Sequence, residues 1–258
     1  MALSWMRFGA RKRPAPAAVP PGQRIYAIGD IHGRADLLDE LATRIGADLA
    51  GAPREVLTIF LGDYVDRGVD SAGVVERLSR GDFPAPFCAL RGNHEEVLLQ
   101  FLEDESVLGS WRKFGGLETL HSYGVDVGDV MRGKGYDAAR RSFAERFPAQ
   151  HRRFLEQTAL SASYGDYFFC HAGARPAVPL DAQSSDDLLW IREEFLGFRG
   201  SFEKVVVHGH TPVSAPDIRA NRINIDTGAF ATSILTALVL EGDSRRLIFA
   251  GGRPASLR

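Results

Sequence analysis

Residues 55–68 read EVLTIFLGDYVDRG. The stretch Glu55 to Leu61, dense in β-branched, leucine and phenylalanine side chains, is a strand signal that stops at Gly62. The turn beyond it is not an ordinary polar one: Asp63, Asp66 and Arg67 lie between Gly62 and Gly68. The same layout flanks it on both sides. A strand from Arg24 to Ile28 runs into Gly29-Asp30-Ile31-His32-Gly33, and one from Phe87 to Leu90 runs into Gly92-Asn93-His94-Glu95. Each turn leads into a helical period. Leu37, Leu38, Leu41 and Ile45 share one face of the first helix, the second is expected from Ser71 to Leu78, and the third opens near Glu95. The unit repeats in architecture, not in sequence, and it reads as an α/β fold with polar turns at the carboxyl ends of the strands, where ligands collect in such sheets.

Working outward, residues 101–160 change character. Trp111, Phe114, Leu117 and Leu120 recur at helical spacing and Pro148 stands near the start of an arginine-rich helix, so a helical insertion is expected there. Strand signals return at Tyr167–Cys170, Lys204–Val207, Arg222–Ile225, Ser233–Leu240 and Arg246–Ala250, with shorter connections that predict a largely antiparallel half. The expected fold is two mixed sheets packed face to face and flanked by helices, forming one domain over residues 23–258. Residues 1–22, with Arg11, Lys12 and Arg13 followed by several prolines, read as a disordered tail.

Among 258 residues, 45% are hydrophobic and 25% charged, which excludes a disordered or collagen-like chain. Lys and Arg number 31 against 33 acidic residues, a formal charge of -2 that offers no broad positive field, so a nucleic-acid partner is not expected. Two cysteines, Cys88 and Cys170, are too few for a disulfide framework, and a reducing, cytoplasmic setting is the default. The longest apolar run, Phe230 to Leu240, is interrupted by Thr232, Ser233 and Thr236 and is too short to span a bilayer.

The polar turns hold the chemistry. Five of the seven histidines, His32, His94, His171, His208 and His210, follow strand signals, leaving His121 and His151 elsewhere. Scattered core or solvated histidines do not cluster in this way. Imidazole and carboxylate without thiolate suit Mn, Fe or Zn, and a carboxylate such as Asp63 can bridge two cations, the usual device for cleaving phosphate esters. Arg67 and Arg91 stand beside these groups, and a planar guanidinium suits phosphate oxygens.

Taken in order, Gly-Asp-Ile-His-Gly, Gly-Asp-Tyr-Val-Asp-Arg-Gly, Arg-Gly-Asn-His-Glu, His-Ala-Gly and Gly-His-Thr resemble the calcineurin-like metallophosphoesterases, and within them the bacterial form of the phosphoprotein phosphatases. Pro212 stands where the superfamily's nucleases and phosphodiesterases carry a further histidine. The resemblance implies two divalent ions, with manganese expected and iron or zinc as alternatives. It assigns Asp30 and His32 to the first ion, Asp63 as the bridge, and Asn93, His171 and His210 to the second. His208 would line the site. Arg67, Arg91 and Arg192 would clamp phosphate, and His94, oriented by Asp66, would protonate the leaving oxygen after attack by a hydroxide bridging the ions. The implied substrate is a phosphoserine or phosphothreonine protein. Hydrolysis of a dinucleoside polyphosphate such as diadenosine tetraphosphate is the alternative within the same fold, and a catalytically dead phosphate-binding scaffold is a third reading. Three blander readings accompany these: an ion pair of Arg192 with Glu193 or a neighbouring acid on a helix, a purely structural Cys170, and Trp111, Phe114 and Leu117 as insertion core. Oligomeric state is not legible.

Overall fold

The computed structural model describes residues 16–257. Its first sheet has the order β10-β9-β1-β2-β3, from β1 (Gln23–Ile28), β2 (Glu55–Phe60), β3 (Phe87–Ala89), β9 (Leu235–Glu241) and β10 (Ser244–Ala250). The second has the order β4-β5-β6-β8-β7, from β4 (Ser161–Tyr164), β5 (Tyr167–Cys170), β6 (Val205–His208), β7 (Asp217–Ile218) and β8 (Arg222–Asn224). The period-2 alternation of each strand decides which residues meet. Ile25, Ala27, Ile59, Leu238 and Leu240 face Tyr167, Phe169, Val205, Val207 and Ile223 in the layer between the sheets. The intervening residues Tyr26, Ile28, Phe60, Ala237 and Val239 point the other way, into a core built with the helices.

Those helices are α1 (Ala35–Asp48), α2 (Ser71–Ser79) and α3 (Asn93–Glu103), each after the strand that sequence reading placed before it. The helical insertion is α4 (Leu108–Trp111), α5 (Gly116–Ser122), α6 (Gly128–Met131), α7 (Tyr136–Arg146) and α8 (Ala149–Glu156). On the outer face of the second sheet, α9 (Ser185–Trp190) and α10 (Glu193–Leu196) contribute Leu188 and Phe195 to a third apolar cluster with Phe168, Cys170 and Val206. A short α11 (Ala229–Thr232) precedes β9. Among the described residues, no helix is long and apolar enough to cross a membrane.

Three expectations are corrected. The second half is not largely antiparallel: β5 pairs parallel with β6, and β6 parallel with β8. The segment 171–204, holding α9 and α10, provides the long crossover that parallel pairing requires. Meanwhile β9 and β10 leave that half to pair with β1. Second, Trp111, Phe114, Leu117 and Leu120 do not share one helix. Gly115, at φ +104, breaks the run; Trp111 and Leu120 are buried, and Phe114 is exposed. Third, the expected tail is structured from its later residues onward, while residues 1–15 lie outside the described ones. Val19 is buried and its N–H donates to the Gly242 carbonyl at 3.0 Å; Asp166 N–H donates to Ala18 O at 2.9 Å, and the Tyr167 hydroxyl donates to Ala17 O at 3.0 Å. The segment thus ties the β4–β5 and β9–β10 turns together. Val19→Asp buries an unpaired charge there, and urea unfolding is expected to show a loss of about 2 kcal/mol or more.

Candidate active site

Because β1, β2 and β3 are mutually parallel, as are β5, β6 and β8, the turns after all six strands emerge at one end of the sandwich. This brings Asp30, His32, Asp63, Asn93, His94, His171 and His210 together, all of them buried. The turns are strained. Of seven non-glycine residues with positive φ among those described, five are His32, Asp63, Asp66, Arg67 and His210. Each such residue costs on the order of 1 kcal/mol and persists only where neighbours enforce it. Glu95 is one enforcer. Its carboxylate, at the start of α3, accepts backbone N–H groups from Asp63 (2.8 Å), Tyr64 (2.8 Å), Val65 (3.2 Å) and Gly92 (2.9 Å). Close approach enforces the rest: a Cβ on Gly92 would lie 2.1 Å from Asp63 Oδ1, so only glycine fits.

Asp63 lies between two donor groups. Its Oδ2 is 3.4 Å from His32 Nε2 and 3.8 Å from His94 Nε2, whereas its Oδ1 is 3.4 Å from His171 Nε2. His32, Asp63 and His94 place ligand atoms within 4.8 Å of one another, and so do Asp63, His171 and His210. Tautomers are set by the outer nitrogens: His32 Nδ1 donates to Val65 O at 2.8 Å and His171 Nδ1 donates to Leu61 O at 3.0 Å, leaving both Nε2 lone pairs inward. Burial lowers the His32 pKa to about 3, lowers that of His171, and takes that of His210 to about 2, so these rings are neutral. His171 Nε2 therefore presents a lone pair to the Asn93 amide oxygen, 2.9 Å away, with His210 Nδ1 2.8 Å from that oxygen and 3.1 Å from His171 Nε2. The other His210 nitrogen, Nε2, is buried without a partner. His171 Nε2 and Asn93 Oδ1 thus turn lone pairs into the cluster beside the His210 ring, and this mixed N and O donor set fits divalent first-row ions.

Asp30 belongs to the same cluster, accepting the His210 backbone N–H at 3.0 Å. Burial and the carboxylates of Asp226 and Asp63 raise its pKa well above the ordinary range. Asp226, one residue beyond Ile225 at the end of the parallel triple, is itself pushed up to about 6, mainly by burial, and its Oδ2 has no partner. Asp226 is not among the site residues expected from the sequence, although its place directly after the strand signal Arg222–Ile225 was the available sign. His94 has the opposite character to the other histidines. Burial works against its imidazolium, yet Asp63 and the hydrogen-bonded Asp66 outweigh that and push it up to about 9. Its Nδ1 lies 2.5 Å from Asp66 Oδ2.

The arginines separate. Arg67 reaches inward, Nη1 3.0 Å from His32 Nε2 and Nη2 3.1 Å from His94 Nε2, with its guanidinium over the Phe230 ring. Arg192 is exposed and lies close enough to lower the pKa values of both His171 and His210. Its guanidinium makes no ion pair among the described residues, so the pairing with Glu193 is not formed. Arg91 points elsewhere: its donors serve Thr158, Glu96 and the Leu155 and Glu156 carbonyls at the end of α8. His208, buried, accepts from Arg222 Nη1 at 3.3 Å and packs on Phe195, behind the cluster rather than in it.

The profile of the calcineurin-like phosphoesterases matches residues 23–237. The chain belongs to that family, and is a hydrolase of the metallophosphoesterase type, with His and Asp groups suited to the divalent metals the family uses. Its relatives carry two kinds of name. A bis(5'-nucleosyl)-tetraphosphatase of Halalkalibacterium halodurans is 25% identical over 233 residues, covering 82% of this chain and 87% of that protein. Serine/threonine-protein phosphatase 1 of Salmonella typhimurium is 28% identical over 225 residues, covering 83% and 90%. Among solved structures, a proposed diadenosine tetraphosphatase superposes with a TM-score of 0.62 at 20% identity over 91% of this chain and 98% of its own, a likeness of fold.

Glu95→Ala leaves four backbone donors unpaired beneath Asp63, and chemical denaturation is expected to show a loss of about 3 kcal/mol or more. Glu96→Ala, one residue on and half-buried, removes a partner of Arg91 and is expected to cost about 1 kcal/mol or less.

Proposed function

We propose that this protein is a dimetal phosphomonoesterase acting on phosphoserine and phosphothreonine in proteins. The observation that carries the reading is Asp63, one buried carboxylate whose Oδ2 faces the neutral His32 and whose Oδ1 faces the neutral His171. In this reading Asp30, His32 and Asp63 hold one ion, and Asp63, Asn93, His171 and His210 hold the other. Manganese is the expected metal. Bound ions supply Lewis acidity and lower the pKa of water toward neutrality.

The chain's own residues supply the rest. Arg67 aims two N–H donors into the cluster, Nη1 resting on the neutral His32 Nε2 and Nη2 merely lying beside the protonated His94, and a phosphate dianion is a stronger, charge-assisted acceptor for both. Arg192, without an ion pair among the described residues, brings a second positive charge near His171 and His210. Arg91 contributes only if it releases the end of α8. His94, kept protonated by Asp66, donates from Nε2 to the leaving oxygen as its bond to phosphorus breaks.

A second reading, hydrolysis of dinucleoside polyphosphates, is favoured by one feature. Phe230 and Trp190 are both substantially exposed, Phe230 5.5 Å from the His32 ring and Trp190 6.4 Å from the His210 ring, so two partly exposed aromatic side chains stand close to the cluster where a base could pack. Incubation with manganese and either a phosphoserine peptide panel or diadenosine tetraphosphate separates the two. Faster turnover of the peptides is expected, and rapid cleavage of the nucleotide alone would transfer the assignment. Metal analysis tests the shared ligand: Asp63→Asn is expected to reduce bound manganese from about two ions per chain to less than one. His94→Asn is expected to lower kcat by about 10²-fold to 10⁴-fold with metal content retained, an effect that an inactive scaffold would not display.

A further inference from the structure

The carboxylate that orients His94 is itself held by the helical insertion. Asp66 is fully buried and satisfied on every side. Its Oδ1 accepts the Thr119 hydroxyl at 2.6 Å, and its Oδ2 accepts the Trp111 indole N–H at 2.7 Å beside His94 Nδ1. Its own backbone N–H donates to Thr119 Oγ1 at 2.9 Å and to Ser71 Oγ at 3.0 Å. One residue further, the Arg67 N–H donates to the Gly115 carbonyl at 3.2 Å. Gly115 has no room for a side chain, since a Cβ would lie 2.4 Å from Arg67 N, and a Cβ on Gly116 would strike the Trp111 ring. Residues 111–119 therefore form a clasp whose polar groups converge on Asp66 and Arg67, although a Trp, a turn and a Thr could have packed as plain core.

We infer that Trp111 and Thr119 are positioning residues: they hold the Asp66 carboxylate so that its Oδ2 faces His94 Nδ1 and the proton of His94 Nε2 is aimed at the leaving oxygen. This rests on the proposed reading of His94 as the proton donor. In the step concerned, water forms a new bond to phosphorus, the bond from phosphorus to the leaving oxygen breaks, and the Nε2 proton passes to that oxygen. The imidazole is left neutral with its Nδ1–H still on Asp66, and the proton released by the attacking water restores it. An alkoxide needs this proton far more than a nitrophenolate does, which is stable without one. A misaligned Asp66 therefore harms one substrate class selectively, whereas general loosening of the fold does not.

The test compares p-nitrophenyl phosphate with a phosphoserine peptide, both with manganese, in Trp111→Phe, Thr119→Val, Thr119→Ser and Leu120→Ala. Leu120 is buried on the same helix as Thr119 and serves as the packing control. Trp111→Phe and Thr119→Val are expected to lower kcat for the peptide about tenfold or more beyond their effect on the aryl ester, with KM little changed. Thr119→Ser, which keeps the hydroxyl, restores the peptide rate, and Leu120→Ala lowers the melting temperature without changing the ratio. The inference is overturned if His94→Asn discriminates between the two esters while Trp111→Phe and Thr119→Val do not. If His94→Asn itself fails to discriminate, the assignment of the proton donor falls instead. If Trp111→Phe does not fold, Thr119→Val against Thr119→Ser carries the comparison.

Discussion

The molecule depends on a backbone that would not choose its own conformation. Between Gly62 and Gly68, Asp63, Asp66 and Arg67 all have positive φ, and without neighbours this turn would relax and disperse its side chains. Two sets of hydrogen bonds prevent that. From the core side, Glu95 gathers four N–H groups around one carboxylate; from the other, the clasp of Trp111, Gly115 and Thr119 fixes Asp66 and Arg67. The energy stored in the turn is offset by partners drawn from two separate parts of the chain. Held in this way, Asp63 presents Oδ2 to His32 and His94 and Oδ1 to His171, a histidine from the second sheet.

Electrostatics then divides the histidines. Burial alone would make all of them neutral, and His32, His171, His208 and His210 obey that rule. His94 escapes it because two carboxylates, Asp63 and Asp66, face it. One cluster thus contains neutral rings with lone pairs to share and one ring that keeps its proton, a separation of roles made by position rather than by residue type. Arg67 supplies positive charge beside His32 and His94 and Arg192 near His171 and His210, whereas Arg91 is committed to the end of α8.

Much of this is legible in the sequence. Strand, turn and helix boundaries near Asp30, Asp63 and Asn93 are set by local pattern, and the clustering of histidines after strands announces a shared site. The pairing of the later strands is not legible, because short apolar runs do not reveal their neighbours. Had β5, β6 and β8 run antiparallel, His171 and Asp226 could not lie at the same end as His210. Phe114 also misleads, since the spacing from Trp111 to Leu120 imitates a helix that Gly115 interrupts.

The chain's local chemistry by itself determined the identity of the polar groups and the turns that bear them, because glycines and charged residues at strand ends act over a few residues. Tertiary structure alone decided that Trp111 and Thr119 serve Asp66, that Arg91 serves a helix end, that Asp226 joins Asp30, and that Val19 belongs to the core. Each of these is a contact between segments far apart in the chain, settled by which surfaces meet when two sheets close over one apolar layer, and no short window of residues contains that information.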